Sequence, residues 1–130
     1  RSHVDVYGTD YDTPDGTGVR DYIHVSDLAA AHVLALDLLV GEPGRSHVMN
    51  CGYSRGFSVL EVLDSVDRIT NRKVERRLSP RRAGDPRSLV ADNSKILATL
   101  PWRPERDRLD TIVGDALAWE RRLAERGGGD

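Results

Sequence analysis

From Asp27 to Val40 the chain reads DLAAAHVLALDLLV, a helical segment whose apolar surface is interrupted, beyond a cap at Ser26 or Asp27, only by His32 and Asp37. A helix apolar on nearly every side is normally buried between two neighbours. Short segments of strand character surround it: Val4 to Tyr7, Asp21 to Val25 (DYIHV), His47 to Asn50 (HVMN) and Val74 to Leu78. They alternate with helices expected at Val59 to Thr70, Asn93 to Leu100 and Asp107 to Glu125, an order that predicts α/β architecture with parallel pairing. Parallel strands lie between other strands with both faces covered, and so few segments cannot provide that for such a helix. The expectation is that a larger sheet is missing from this chain.

Local signals place the element boundaries. The loop from Gly8 to Gly18 contains Thr13-Pro14-Asp15-Gly16, a strong turn sequence, and Gly41-Glu42-Pro43-Gly44 stops the apolar helix. Ser58-Val59-Leu60-Glu61 is a capping box, opening a helix with Val59, Leu63, Val66 and Ile69 along one stripe. The last helix carries Leu109, Ile112, Val113, Ala116, Trp119 and Leu123 at helical spacing, and Trp102 and Trp119 are expected to pack. Residues 1–126 form one expected domain and 127–130 a disordered, glycine-rich tail. Arg1-Ser2-His3 leads almost directly into an apolar stretch, which suggests a piece of a longer protein.

Composition narrows the function classes. Charged residues make up 31% of the chain and the net charge is -2, so no global field draws it to nucleic acid or to an anionic membrane. No apolar run approaches the length of a membrane span. The single cysteine, Cys51, excludes an internal disulfide and fits a reducing, cytoplasmic location. The 17 arginines against 2 lysines reflect a G+C-rich genome by default, although guanidinium forks also suit phosphate.

Two arginine-bearing segments could carry chemistry. In PDGTGVRD, Arg20 follows a permissive loop and could reach a diphosphate; pairing with Asp21 or another local carboxylate is the competing reading. In SPRRAGDP, Arg81 and Arg82 sit in a loop braced by Pro80, Gly84 and Pro86, with Asp85 near enough to orient one of them or accept a hydroxyl. A solvated basic loop is the competing reading there. His24 and His32 lack partners at metal-ligand or triad spacing and read as structural, and Cys51 reads as a small buried residue. No glycine-rich dinucleotide fingerprint is present, and none of Tyr7, Tyr11, Tyr22 and Tyr53 has a lysine four residues on.

Taken together, YGTDYDTPDGTGVRDYIHVSDLAAAHVLAL, NCGYSRGFSVLEV, PRRAGDP with LVADNSK, and WRPERDRLDTIVGDALAWE resemble the C-terminal part of UDP-glucose/UDP-galactose 4-epimerases, from Val4 to about Arg122. The resemblance implies the substrate-binding part of an extended short-chain dehydrogenase/reductase, with remnant edge strands of its Rossmann-type parallel sheet. It implies UDP-glucose and UDP-galactose as substrates, interconverted through a 4-keto sugar with NAD as hydride carrier. The NAD-binding motif and the tyrosine–lysine pair would then lie in a preceding part. Position by position, Arg20 and Arg82 match arginines that grip the diphosphate, and Asp85 matches a carboxylate on the ribose. Tyr7 matches an aromatic residue flanking the uracil, and Val59 an apolar residue lining the same pocket. Leu89 stands where some members carry a tyrosine that sets sugar-pocket size, which leaves tolerance for N-acetylated sugars open. Ser54 replaces a glycine common in relatives.

Three readings follow. The first is the sugar-nucleotide-binding part of a 4-epimerase, inactive alone because the hydride acceptor is elsewhere. The second is a non-catalytic module that self-associates through its uncovered apolar surface as a homo-oligomer. The third is a piece of another UDP-sugar enzyme, a dehydratase or decarboxylase.

Overall fold

The computed structural model describes residues 3–127. Of the expected tail, Gly127 is the last residue of the final helix, and residues 128–130 lie outside the described residues. The elements are β1 (Val4–Tyr7), β2 (Val19–Arg20), α1 (Val25–Gly41), β3 (Phe57–Ser58), α2 (Val59–Thr70), β4 (Arg76–Ser79), β5 (Ser88–Leu89), α3 (Ser94–Thr99) and α4 (Leu109–Gly127).

Two small sheets share one continuous segment. Strands β1 and β4 pair in parallel, from Val4 opposite Arg76 to Tyr7 opposite Ser79. In the second sheet β2 lies between β3, antiparallel, and β5, parallel, so that Arg20 faces Phe57 on one side and Leu89 on the other. The segment β4–loop–β5 therefore belongs to both sheets, and its 80–87 loop spans the gap between them.

The helices arise where the sequence places them. Ser58 caps α2 by accepting from the Glu61 N–H at 3.1 Å, while the Glu61 carboxylate accepts from the Ser58 N–H at 2.6 Å, so the capping box forms. Helix α2 ends at Asn71, whose left-handed φ of 51° suits a short polar side chain. Its stripe packs Leu63 inward, and buried Ser65 donates to Asp110 of α4 at 2.6 Å. Val113 is the buried residue of α4. Trp119 and Leu123 of the expected stripe stand 51% and 42% exposed, because α4 extends beyond the surface that α2 offers it.

Other expectations are corrected. Asp21 to Val25 and His47 to Asn50 form no ladder: residues 21–24 and 47–50 lie outside any strand, and Val25 already begins α1. Beyond the Asp21 N–H, which donates to Leu89 O of β5 at 3.2 Å, these segments contribute side chains: Ile23 and Met49, with the adjoining Cys51, pack on the cluster of Ala31, Ile96, Leu100 and Trp102. The cap of α1 is His24, whose Nδ1 accepts from the Ser26 N–H at 3.0 Å. Only Asp27 and Ala31 of α1 are buried. Val33, Leu36 and Val40 remain 60%, 61% and 74% exposed, so a helix expected to be covered on two sides is covered on one.

Asp27, expected only as a possible cap, instead ties three segments together. Its carboxylate accepts from the Tyr53 hydroxyl at 2.7 Å and from the Arg106 and Glu105 N–H groups at 2.9 and 3.2 Å. Its carbonyl accepts from the Trp102 indole at 2.9 Å. Burial works to raise the Asp27 pKa, but these hydrogen bonds to the ionised form outweigh it and hold the carboxyl below its ordinary value. Its stabilising contribution is thus complete above the unfolded value of about 3.9 and lost as pH falls through the folded one. Asp27→Asn should lower stability to urea at pH 7 by roughly 1.5–3 kcal/mol, a deficit that shrinks below about pH 4. A deficit unchanged between neutral and strongly acid pH would show that the ionised carboxylate is not its source. In the same assay Ser58→Ala should cost about 1–3 kcal/mol, since it removes both the α2 cap and the hydroxyl's hydrogen bond to Asp15.

Candidate functional site

The loop between β1 and β2 is built on Asp15. One carboxylate oxygen accepts from the Thr17 N–H and hydroxyl at 2.9 and 2.7 Å, and the other accepts from the Ser58 hydroxyl. Burial opposes ionisation here, yet the hydrogen bonds from Ser58 and Thr17 leave the Asp15 pKa lowered. The loop is thereby fixed to the start of α2, and Val59, the first residue of that helix, donates its N–H to Gly18 O at 3.1 Å. Val59 is thereby held against Gly18, one residue before β2.

Asp21 is committed to backbone. It accepts from the N–H groups of Tyr53 at 3.0 Å, Ser54 at 3.1 Å and Ala91 at 3.3 Å. A Cβ on Gly52 would lie 2.6 Å from its carboxylate, so the close approach requires glycine there. Arg20 pairs not with this neighbour but across the fold: its Nη2 lies 3.7 Å from Asp85 Oδ1, and its Nη1 donates to Val19 O at 2.8 Å.

The remaining candidates fall around the 80–87 loop. Arg82 holds its guanidinium 3.8 Å above the ring of Tyr7, the last residue of β1. Both border a cleft of about 900 Å³ between β1 and the end of α2, with Val66, Thr70, Arg72 and Lys73 also on its wall. Leu89, 63% exposed, faces Arg20 across the β2–β5 pair. Those two border a second cleft of about 510 Å³ with Asn50, Cys51 and Ala91. The six residues thus divide into Tyr7 with Arg82, Arg20 with Asp85 and Leu89, and Val59 beside Gly18. One loop carries Arg82 of the first group and Asp85 of the second.

Several residues that hold this arrangement carry no signal in the sequence. Asp10 and Asp12 engage Arg81 and Arg87 at 2.7 and 2.6 Å, across sequence separations of 71 and 75 residues. Tyr11, 8% exposed, donates its hydroxyl to Asp85 O at 3.4 Å. The histidines have structural partners: His24 Nε2 lies 2.9 Å from Asp115, and His32 Nδ1 lies 2.8 Å from Leu28 O. Cys51 is half-buried against the core cluster, and burial raises its pKa, which disfavours the thiolate. Among the described residues no cluster of three or more His, Cys, Asp or Glu could hold a metal ion. No described helix is long and apolar enough to cross a membrane. The helix starts at α1 and α2 are closed by the side chains of His24 and Ser58.

Residues 3–52 match the family model described as NAD dependent epimerase/dehydratase family. The UDP-glucose 4-epimerase of Azospirillum brasilense is 53% identical over 125 residues, which is 96% of this chain and 36% of that protein. The UDP-glucose-4-epimerase of Stenotrophomonas maltophila, solved with bound NAD and formylated UDP-arabinopyranose, has a TM-score of 0.87 at 43% identity, over 95% of this chain and 36% of that one. The UDP-Glc/GlcNAc 4-epimerase of Campylobacter jejuni has a TM-score of 0.83 at 43% identity, over 94% and 36%. The α/β fold described above is therefore that of part of an extended short-chain dehydrogenase/reductase, and the chain spans about a third of the length of these relatives. In sequence and in fold this chain is similar to part of UDP-glucose 4-epimerases, with residues 3–52 matching the NAD dependent epimerase/dehydratase family.

Proposed function

We propose that this chain is the C-terminal, sugar-nucleotide-binding part of a cytoplasmic UDP-glucose 4-epimerase that interconverts UDP-glucose and UDP-galactose with NAD as cofactor. The observation that carries the reading is the 80–87 loop, which brings Arg82 to Tyr7 and Asp85 to Arg20. A nucleoside diphosphate needs an aromatic or apolar wall for its base, a hydroxyl acceptor for its ribose and guanidinium forks for its phosphates. These residues supply each: Tyr7 and Val59 for the uracil, Asp85 for the ribose, Arg20 and Arg82 for the diphosphate. Leu89, across from Arg20 at the rim of the second cleft, borders the space left for the sugar and sets its width.

The pairing of Arg20 with Asp85 has a functional consequence. Held at 3.7 Å and part-exposed, the pair contributes little to stability, and its value lies in keeping both side chains pointed at one place before ligand arrives. Hydride transfer and phenolic acid–base chemistry belong to the rest of the enzyme, so the isolated chain binds without turning over.

The exposed α1 residues Val33, Leu36 and Val40 support a second property, self-association of the isolated chain as a homo-oligomer. A monomeric mass at high concentration would remove that reading.

Arg20→Ala and Arg82→Ala, in the complete enzyme, should each weaken UDP binding roughly 10- to 150-fold by calorimetry, with affinity falling steeply as salt rises. Unchanged affinity in either variant would remove that arginine from the diphosphate. Asp85→Ala should weaken UDP binding while moving thermal stability by less than about 1 kcal/mol. The 130-residue chain, given NAD and UDP-galactose, should form no UDP-glucose; turnover would place the chemistry within it.

A further inference from the structure

The two adjacent arginines of the 80–87 loop face different partners. Arg82 lies on Tyr7 and forms no ion pair with a carboxylate among the described residues. Arg81 turns the other way. Its Nε donates to Asp10 Oδ1 at 2.7 Å, its Nη2 donates to the Asp10 carbonyl, and its guanidinium lies 4.2 Å above the ring of Tyr11. Tyr11 in turn donates its hydroxyl to the backbone of Asp85, so its ring and hydroxyl touch the loop on either side of Arg82.

The chain is shaped to permit this contact. Gly8 has a φ of +77°, and a Cβ there would collide with the Tyr11 ring and lie 3.0 Å from Arg81 Cγ. The ends of the loop are held by ladder hydrogen bonds, Gly8 N–H to Ser79 O and Val19 N–H to Arg87 O, both at 2.9 Å. Between those ends the contacts of Arg81 and Tyr11, with the salt bridge of Arg87 to Asp12, fix the loop against residues 8–12. The hydrogen bond from Arg81 also lowers the Asp10 pKa from its ordinary value.

We infer that the tandem arginines divide their labour: Arg81 is a positioning residue, clamped between Asp10 and Tyr11, that sets Arg82 and Asp85 against the nucleotide. The clamp needs a planar cation. A lysine would keep the charge but could not stack on Tyr11 while donating both to a carboxylate and to a carbonyl. This role rests on the assignment of Arg82 to the diphosphate.

The test is a mutant cycle in the complete, NAD-loaded enzyme, with UDP as the calorimetric probe and UDP-galactose for kinetics. Arg81→Ala should weaken UDP binding roughly 3- to 30-fold. It should raise KM by a similar factor with kcat nearly unchanged, because ground-state and transition-state contacts weaken together. Arg81→Lys should recover only part of the affinity. In an Arg82→Ala background, the further effect of Arg81→Ala on UDP should shrink to the share carried by Asp85, since one of the two groups it positions is gone. Asp10→Asn, which leaves Arg81 in place, should act in the same direction and stands in if Arg81→Ala does not fold. Equal effects of Arg81→Ala with and without Arg82 would overturn the positioning role, as would a lowered melting temperature with unchanged UDP affinity. Loss of UDP binding by neither the Arg82→Ala nor the Arg20→Ala variant would instead overturn the diphosphate reading itself.

Discussion

A single stretch of chain, β4 with its following loop and β5, pairs in parallel with two strands that are otherwise unconnected by hydrogen bonds. Each parallel partner is reached only through a long crossover, so the register is held by the pairing itself rather than by a tight turn. The register places Tyr7 opposite Ser79 and Arg20 opposite Leu89, so the loop between those positions has little freedom in where it runs. Every candidate contact to a nucleotide except Val59 is either on this stretch or on a strand paired to it. The site is in this sense a product of register.

With so little regular sheet, much of the loop backbone is organised by carboxylates. Asp15, Asp21 and Asp27 accept from the backbone or hydroxyl groups of Thr17, Tyr53, Ser54, Ala91, Glu105 and Arg106. An ionised carboxylate makes stronger hydrogen bonds than a neutral acceptor and can serve several donors at once. That property suits a small fold with long connections. Asp21, His24 and Asp27, in and just after the DYIHV segment, are all engaged internally.

Much of the helical structure was legible locally. The capping box at Ser58 and Glu61, the stripe of α2 and the periodicity of α4 depend on residues within a few positions of one another, and all three helical features formed. DYIHV and HVMN have strand composition but lie outside any strand, and a β-strand exists only when another strand continues its ladder. The same limit applied to Arg20: spacing suggested a neighbouring carboxylate, whereas the partner was Asp85, brought close by the parallel pairing of β2 with β5. Trp119 kept its helical position but stays 51% exposed.

The sequence alone determined the kind of fold, the positions of the helices and, through the YGTDYDTPDGTGVRDYIHV and PRRAGDP motifs, the family resemblance. Those properties reside in short patterns whose physical effects are local or whose motifs are specific. Only the tertiary structure decided which of two adjacent arginines lies over Tyr7 and which is clamped by Asp10 and Tyr11. It also decided that α1 is covered on one side and open on the other. The reason is that partners more than 70 residues apart meet through strand register and loop packing, and no spacing rule within a chain encodes that distance.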